Sequence, residues 1–215
     1  AIQGDHYAYM QGWHESLLRL HMQGVVFHDG LPDDFIANAS VPQSLWFVRV
    51  PAAHRPVNDY RYLIFLEFLT LLRGEEPESR LLPTDLSLDG MGVLPVRRVL
   101  LTDLKDIVFG RNPFELVQPS KLLVGSEQLA ERVYIEKKYR GCYRRTHMFR
   151  HKRTIYNPGI LGGMLADMHE FVQLLTWELH LLRADYNCNF AAVNAVLHMY
   201  YDEATQVLTG PPLHS

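Results

Sequence analysis

Within residues 97–102, RRVLLT, the apolar Val99, Leu100 and Leu101 are consecutive, without the polar alternation of a half-exposed strand, and a strand of that kind is expected to be buried on both faces. VVFHDG reads the same way, as a short buried strand stopping at Asp29 and Gly30, while LWFVRV (45–50) is rich in β-formers and bounded by Pro42 and Pro51. KLLVG (121–125) is a further strand. Helical spacings lie between these runs. Trp13, Leu17 and Leu20 predict a helix within Trp13 to Met22, and LPDDFI starts another with Pro32 at its head. Asn58 to Arg73 opens on an asparagine cap and is apolar on most faces, so it predicts a buried helix. Met164 to Leu182 carries an apolar stripe at 164, 168, 171, 175, 179 and 182, and Cys188 to Tyr201 predicts a last helix. Strands alternating with helices predict an α/β sandwich around a mainly parallel sheet, in which ligands sit at the carboxyl ends of strands. Asp29 and Asp103 both fall at such ends.

At 215 residues the chain can bury about 70% of its unfolded surface in one core, so a single domain, 1–215, is expected. The Gly, Pro, Glu and Ser-rich stretch 74–95 predicts a surface insertion. The longest apolar run, Tyr60 to Leu72, is broken by Arg61, Glu67 and Thr70 and falls short of the roughly 18 residues a membrane span needs. Nothing in AIQGDHYAYM resembles a signal peptide, so no compartment is addressed. Cys142 and Cys188 fit one bridge in an oxidising compartment as well as two thiols in the cytosol. The net charge of −3 conceals an asymmetry, because 137–153 carries eight Lys or Arg and no Asp or Glu.

The chemistry centres on VLLTDLKDIVFGRNPFEL, where Asp103 and Asp106 follow the apolar strand at once. Mg²⁺ or Mn²⁺ takes hard oxygen ligands, often only one or two protein carboxylates, with substrate phosphates and water completing the shell. Spacing alone fits equally a turn capped by Asp103, with Asp106 paired to Lys105 or Arg111.

That run resembles the metal-binding strand end of GT-A-fold nucleotide-sugar glycosyltransferases, where an apolar strand leads into a DxD-type motif (here DxxD) and an Asn-Pro-Phe-like turn. YNPGILGG (156–163) is similar to the segment of that family that closes over the donor sugar. NCNFAAVN, preceded by Asp185, resembles its acidic helix start, and VLTGPPLHS its terminal Gly and His segment. The resemblance implies a Rossmann-like α/β/α sandwich of GT-A type that transfers a hexose from a UDP- or GDP-hexose to a hydroxyl of a carbohydrate or glycoconjugate acceptor. It also implies that Asp103, Asp106 and His214 bind Mn²⁺ or Mg²⁺ bridging the donor diphosphate. Arg61 would lie against the diphosphate, and Asn157, Gly159, Gly162 and Gly163 would let the backbone approach the sugar. For these last residues the alternative is a Pro-Gly turn before a helix.

Asp185 and Asn189 would touch the donor sugar or acceptor hydroxyl, and Asp29 the nucleoside. Ala1 and Gly4 would belong to a nucleotide-binding loop whose preceding first strand the sequence does not include. Asn189 departs from the family's pattern, since an amide cannot serve as a general base. That departure admits a second reading, a GT-A-like protein with impaired catalysis. A third is a polyanion-binding module built on 137–153, where Tyr139, Tyr143 and Phe149 interleave with the basic residues; no nucleic-acid partner is expected. His28 beside Asp29 reads best as a strand-end turn, and Met164, Met168, Trp13, Trp46 and Trp177 read as core.

Overall fold

Met10, Trp13 and Leu17 fall on one face of helix α1 (His6–Arg19), and all three are buried. The helix closes on His21, whose φ of 52° lies in the left-handed region; the N–H of Met22 donates to Leu17 O (3.0 Å) and that of His21 to Leu18 O (3.1 Å). These two bonds form a Schellman cap, which ends the helix three residues before the expected Met22. The computed structural model describes residues 6–53, 56–88, 95–127, 135, 138–139, 141–142, 154–182, 186–202 and 206–209.

Strand β1 (Gly24–His28) pairs in parallel with β2 (Leu45–Arg49) across the short helix α2 (Asp33–Ala39), whose first turn carries Asp33 and Asp34 against the positive end of its dipole. Helix α3 (Val57–Leu72) starts one residue ahead of the expected Asn58 cap. Pro56 takes that position, and its carbonyl accepts from the N–H groups of Asp59 (2.9 Å) and Tyr60 (3.0 Å). The far end of α3 closes on Gly74 at φ 75°, with Gly74 N–H to Leu71 O and Glu75 N–H to Thr70 O.

The remaining strands, β3 (Arg98–Thr102), β4 (Leu122–Ser126), β5 (Tyr156–Met164) and β6 (Val207–Leu208), form one sheet in the order β3-β5-β4-β6. The fold is α/β as expected, but the sheets are mixed. β5 runs antiparallel to both β3 and β4, and the parallel pairs are β1 with β2 and β4 with β6. YNPGILGG is therefore neither a turn nor a helix start. It is one of the two inner strands of the larger sheet. Helix α4 (Leu165–Leu182) buries Met168, Phe171, Val172, Leu175 and Leu182, most of its expected stripe, whereas Met164 belongs to β5. Trp177 falls between the stripe positions 175 and 179 and is 60% exposed, contrary to the expected core role, with its ring stacked on His180.

Helix α5 (Asn189–Tyr200) is buried continuously from Asn189 to Leu197. Its Asn194 amide satisfies both backbone groups of Tyr156, accepting from the N–H at 2.9 Å and donating to the carbonyl at 2.8 Å, so a polar side chain sits in the core at no hydrogen-bonding loss. The helix is anchored at its start by a Cys142–Cys188 disulfide. No helix among the described residues is long and apolar enough to cross a membrane.

The described part of the expected surface insertion, 74–88, lies at the surface except for Leu82 and is tied to α3. Glu67 of α3, 3% exposed, turns its carboxylate onto it and accepts from Ser79 Oγ (2.8 Å), Leu81 N (2.8 Å) and Leu82 N (2.8 Å). An unsatisfied buried group costs about 1–3 kcal/mol. Glu67→Ala is expected to lower the unfolding free energy by about 2–4 kcal/mol in urea denaturation and to accelerate amide exchange at Leu81 and Leu82.

Candidate functional site

The site begins with an irregularity in the sheet. β4 pairs Val124 with Leu161 but Gly125 with Asn157, so the ladder shifts register across Pro158, Gly159 and Ile160. Pro158 has no N–H to give, and a bulge is where a sheet interior tolerates proline. The bend turns Asn157 and Gly159 toward the end of β3, where the N–H of Asp103 donates to Gly159 O at 2.9 Å. Asn157 is held between two partners: its Oδ1 accepts from Gly159 N (2.7 Å) and its Nδ2 donates to Glu127 Oε1 (2.6 Å).

On the other side of Asp103 stands Arg61, in the second turn of α3. Its Nη1 makes an ion pair and hydrogen bond with Asp103 Oδ1, and its Nη2 donates to the hydroxyl of Tyr62 at 3.1 Å. Burial works against the Arg61 charge, but Tyr62 and Asp103 outweigh it and hold the guanidinium firmly protonated. Its Nε is buried and has no acceptor among the described residues. Tyr62 is fully buried and its phenol is raised, by burial first, with the Asn189 side chain close enough to its hydroxyl to oppose that shift. Asp59, one turn earlier, accepts from the N–H of Cys188 through both carboxylate oxygens (3.1 Å each), which fixes the start of α5 against the start of α3.

Asp106 is exposed, and no hydrogen bond or ion pair engages it among the described residues. Tyr9 of α1 stands in the field of both carboxylates: burial, then Asp103, then Asp106 raise its phenol above the usual tyrosine value. The cluster therefore joins Tyr9, Arg61, Asp103, Asp106, Asn157, Gly159 and Glu127, with Tyr62 and Asn189 behind it.

The sequence-derived candidates divide into three groups. Arg61, Asp103, Asn157 and Gly159 meet directly, and Asn189 joins through Tyr62. Gly162 and Gly163 lie within β5 opposite Leu100 and Val99 of β3, where a Cβ would fall 2.5 Å from Leu100 Cδ1 and 3.2 Å from Met168 Cγ respectively. They serve packing of the sheet. Asp29 is exposed at the end of β1, beside a His28 whose Nδ1 accepts from Leu31 N (3.2 Å), as a strand-end turn requires. Ala1, Gly4, Asp185 and His214 lie outside the described residues, as does most of 137–153.

Tyr9, Asp59, Tyr62 and Glu127 were not singled out from sequence. Glu127 carried the same signal as Asp103, a carboxylate directly after a buried strand. Among the described residues no group of three or more His, Cys, Asp or Glu is gathered to hold a metal. A two-carboxylate site of the magnesium type needs no such group. No family model matches the chain, and no curated protein matches it significantly.

Gly159 is the tightest point of the cluster. A Cβ there would lie 2.9 Å from Asn157 Oδ1 and 3.0 Å from Asp103 Oδ2, whereas at Gly110, farther along the loop from β3, it would meet nothing within 4 Å. Gly159→Ala is expected to destabilise the fold by about 1–3 kcal/mol through this overpacking. Gly110→Ala should be neutral or stabilising by up to about 1 kcal/mol, and paired thermal melts check both.

Proposed function

We propose that the Arg61, Asp103 and Asp106 cluster receives the diphosphate of a nucleotide sugar together with Mn²⁺ or Mg²⁺, and that the protein is a glycosyltransferase of GT-A type acting on a hydroxyl acceptor. The observation that carries this reading is the cradle around Asp103. One carboxylate oxygen is fixed by Arg61, and the other faces a glycine whose missing Cβ leaves the carboxylate its room. The orphaned, buried Nε–H of Arg61 adds a donor that a phosphate oxygen can satisfy.

In this reading Asp103 and Asp106 supply the hard oxygen ligands. Such a cation acts as a Lewis acid that screens the charge developing on a departing nucleoside diphosphate. Arg61 orients the diphosphate and shares its charge. Asn157, locked by Glu127 and Gly159, offers a rigid edge beside the sugar position, and positioning of this kind supplies much of the rate in group transfer. Asn189 is 4% exposed and spends its Oδ1 on the N–H of Phe190 (2.7 Å), so its place is behind Tyr62 as a support rather than as a base. Asp185 and His214 remain candidates for the roles that the resemblance gives them.

Calorimetry with UDP- and GDP-hexoses, with and without Mn²⁺, tests the reading. Asp106→Asn should weaken Mn²⁺-dependent binding at least tenfold, about 1.4 kcal/mol, while leaving the melting temperature nearly unchanged because Asp106 is exposed and unpaired. Arg61→Ala should weaken binding and also destabilise the fold, since it leaves Asp103 without its ion-pair partner. Donor binding indifferent to both Mn²⁺ and Asp106→Asn would overturn the proposal.

A further inference from the structure

α1 is bound to both ends of the loop that carries the two carboxylates. At the start of the loop Trp13 Nε1 donates to the hydroxyl of Thr102 (3.0 Å), the residue ahead of Asp103. At its end the N–H of Phe109 donates to Ser16 Oγ (3.0 Å), and Arg19 Nη2 donates to Phe109 O. One residue earlier Val108 packs on Gly12, where a Cβ would fall 2.8 Å from Val108 Cγ2. Followed backward, the loop passes from Ser16 and Arg19 at Phe109 to Gly12 at Val108, so it runs toward the start of α1. Asp106, two residues before Val108, is thereby directed at the preceding turn of the helix.

That turn carries Tyr9. It lies three residues ahead of Gly12 and four ahead of Trp13, and side chains at those spacings are neighbours on a helix surface. The phenol accordingly stands within electrostatic reach of Asp103, Asp106 and Arg61. Tyr9 is 38% exposed, and with two carboxylates in reach its hydroxyl makes no hydrogen bond among the described residues. Its neighbours on α1 are committed to the fold: Trp13 spends its N–H on Thr102, and Ser16 spends its hydroxyl proton on Trp13 O (2.9 Å). The donor of Tyr9 is not spent.

We infer that Tyr9 is a further ligand-contacting residue of this site, its phenol O–H donating to a phosphate oxygen of the nucleoside diphosphate held at Asp103, Asp106 and Arg61. The assignment rests on the diphosphate reading given above. A phenol is neutral and protonated at pH 7, so it adds a donor without adding to the negative charge of the carboxylates. An O–H bond to an ionised phosphate oxygen is charge-assisted, roughly twice as strong as a neutral one. Because α1 is fixed to the loop at both ends, the hydroxyl is held in place before the ligand arrives, and that preorganisation lowers the entropy lost on binding. α1 then serves the site twice, as the frame of the carboxylate loop and as the source of a donor.

Tyr9→Phe removes the hydroxyl and keeps the ring, whereas Tyr9→Ala removes both. Calorimetry with UDP, GDP, uridine and guanosine, with and without Mn²⁺, is read on the wild-type chain, both variants and Asp106→Asn. Thermal melts and the electron paramagnetic resonance of Mn²⁺ added alone accompany it. Tyr9→Phe should weaken Mn²⁺-dependent binding of the diphosphate by about tenfold and leave nucleoside binding, Mn²⁺ binding and the melting temperature at their wild-type values. Diphosphate binding that Tyr9→Phe leaves within about twofold of wild type would overturn the inference. So would a loss confined to Tyr9→Ala and shared by the nucleoside, which would assign the ring to the base, or a loss matched by weaker Mn²⁺ binding, which would make Tyr9 a support of the metal loop. A wild-type chain that binds neither diphosphate overturns the diphosphate reading together with this one. Binding that needs Mn²⁺ and Asp106 but ignores Tyr9→Phe overturns the role of Tyr9 alone.

Discussion

The ion pair between Arg61 and Asp103 is the interaction on which the arrangement at the carboxyl end of β3 depends. It joins the second turn of α3 to the residue that leaves β3, with the Arg61 side chain largely withdrawn from water. Withdrawing the guanidinium costs several kcal/mol, which is repaid only where further hydrogen bonds complete it, whereas Asp103, with 41% of its side chain exposed, keeps much of its hydration. The backbone N–H of Asp103 is tied to Gly159 O, and Arg61 gains the Tyr62 hydroxyl beside Asp103. The completion on the Arg61 side stops short, because Nε finds no acceptor among the described residues. A core built for stability alone would not leave a guanidinium N–H buried and unpaired. Such residual demand for an acceptor is common where a ligand or water belongs.

The pair also accounts for features that look unrelated in sequence. Asp59, Arg61 and Tyr62 occupy one short stretch of α3 but reach three destinations: the N–H of Cys188, Asp103 and the Asn189 amide. The start of α5 is thereby set by α3, and the disulfide at Cys188 reinforces a position already fixed by Asp59. On the opposite side the bulge at Pro158 brings Gly159 to Asp103, so proline and glycine in mid-strand are needed for the local geometry.

How much of this was legible in the sequence depended on whether the local signal and the tertiary environment agreed. β1, β2, β3 and β4 were readable because an apolar run bounded by turn residues has few other uses, and α1, α3, α4 and α5 because their apolar spacing is helical. β5 was not, since Pro158, Gly159, Gly162 and Gly163 all argue locally against a strand. Only the bulge, and the close approach of Leu100 and Met168 to the two later glycines, fit it into the sheet's interior. Trp177 was misplaced for the converse reason, because a large apolar residue next to a buried stripe carries no mark of its one-position offset. Of the candidate site, Asp103 and Arg61 were visible through residue type and place, whereas Tyr9, Tyr62 and Glu127 come from three separate elements. Their convergence is a tertiary fact.

The charge count at the cluster gives the proposed function its physical shape. Asp103, Asp106 and Glu127 bring three negative charges and Arg61 one positive, so the cluster is net negative before any substrate arrives. A like charge at about 4 Å costs on the order of 4 kcal/mol at an effective dielectric of 20, enough to repel a diphosphate by itself. The phenol of Tyr9 is raised by burial first and then by Asp103 and Asp106, with Arg61 opposing them. A divalent cation would offset the cluster's negative charge and turn the carboxylates from a barrier into the anchor of the site. Asp106, exposed and without a hydrogen bond or ion pair among the described residues, is the carboxylate whose replacement tests that reading without disturbing the Asp103–Arg61 pair.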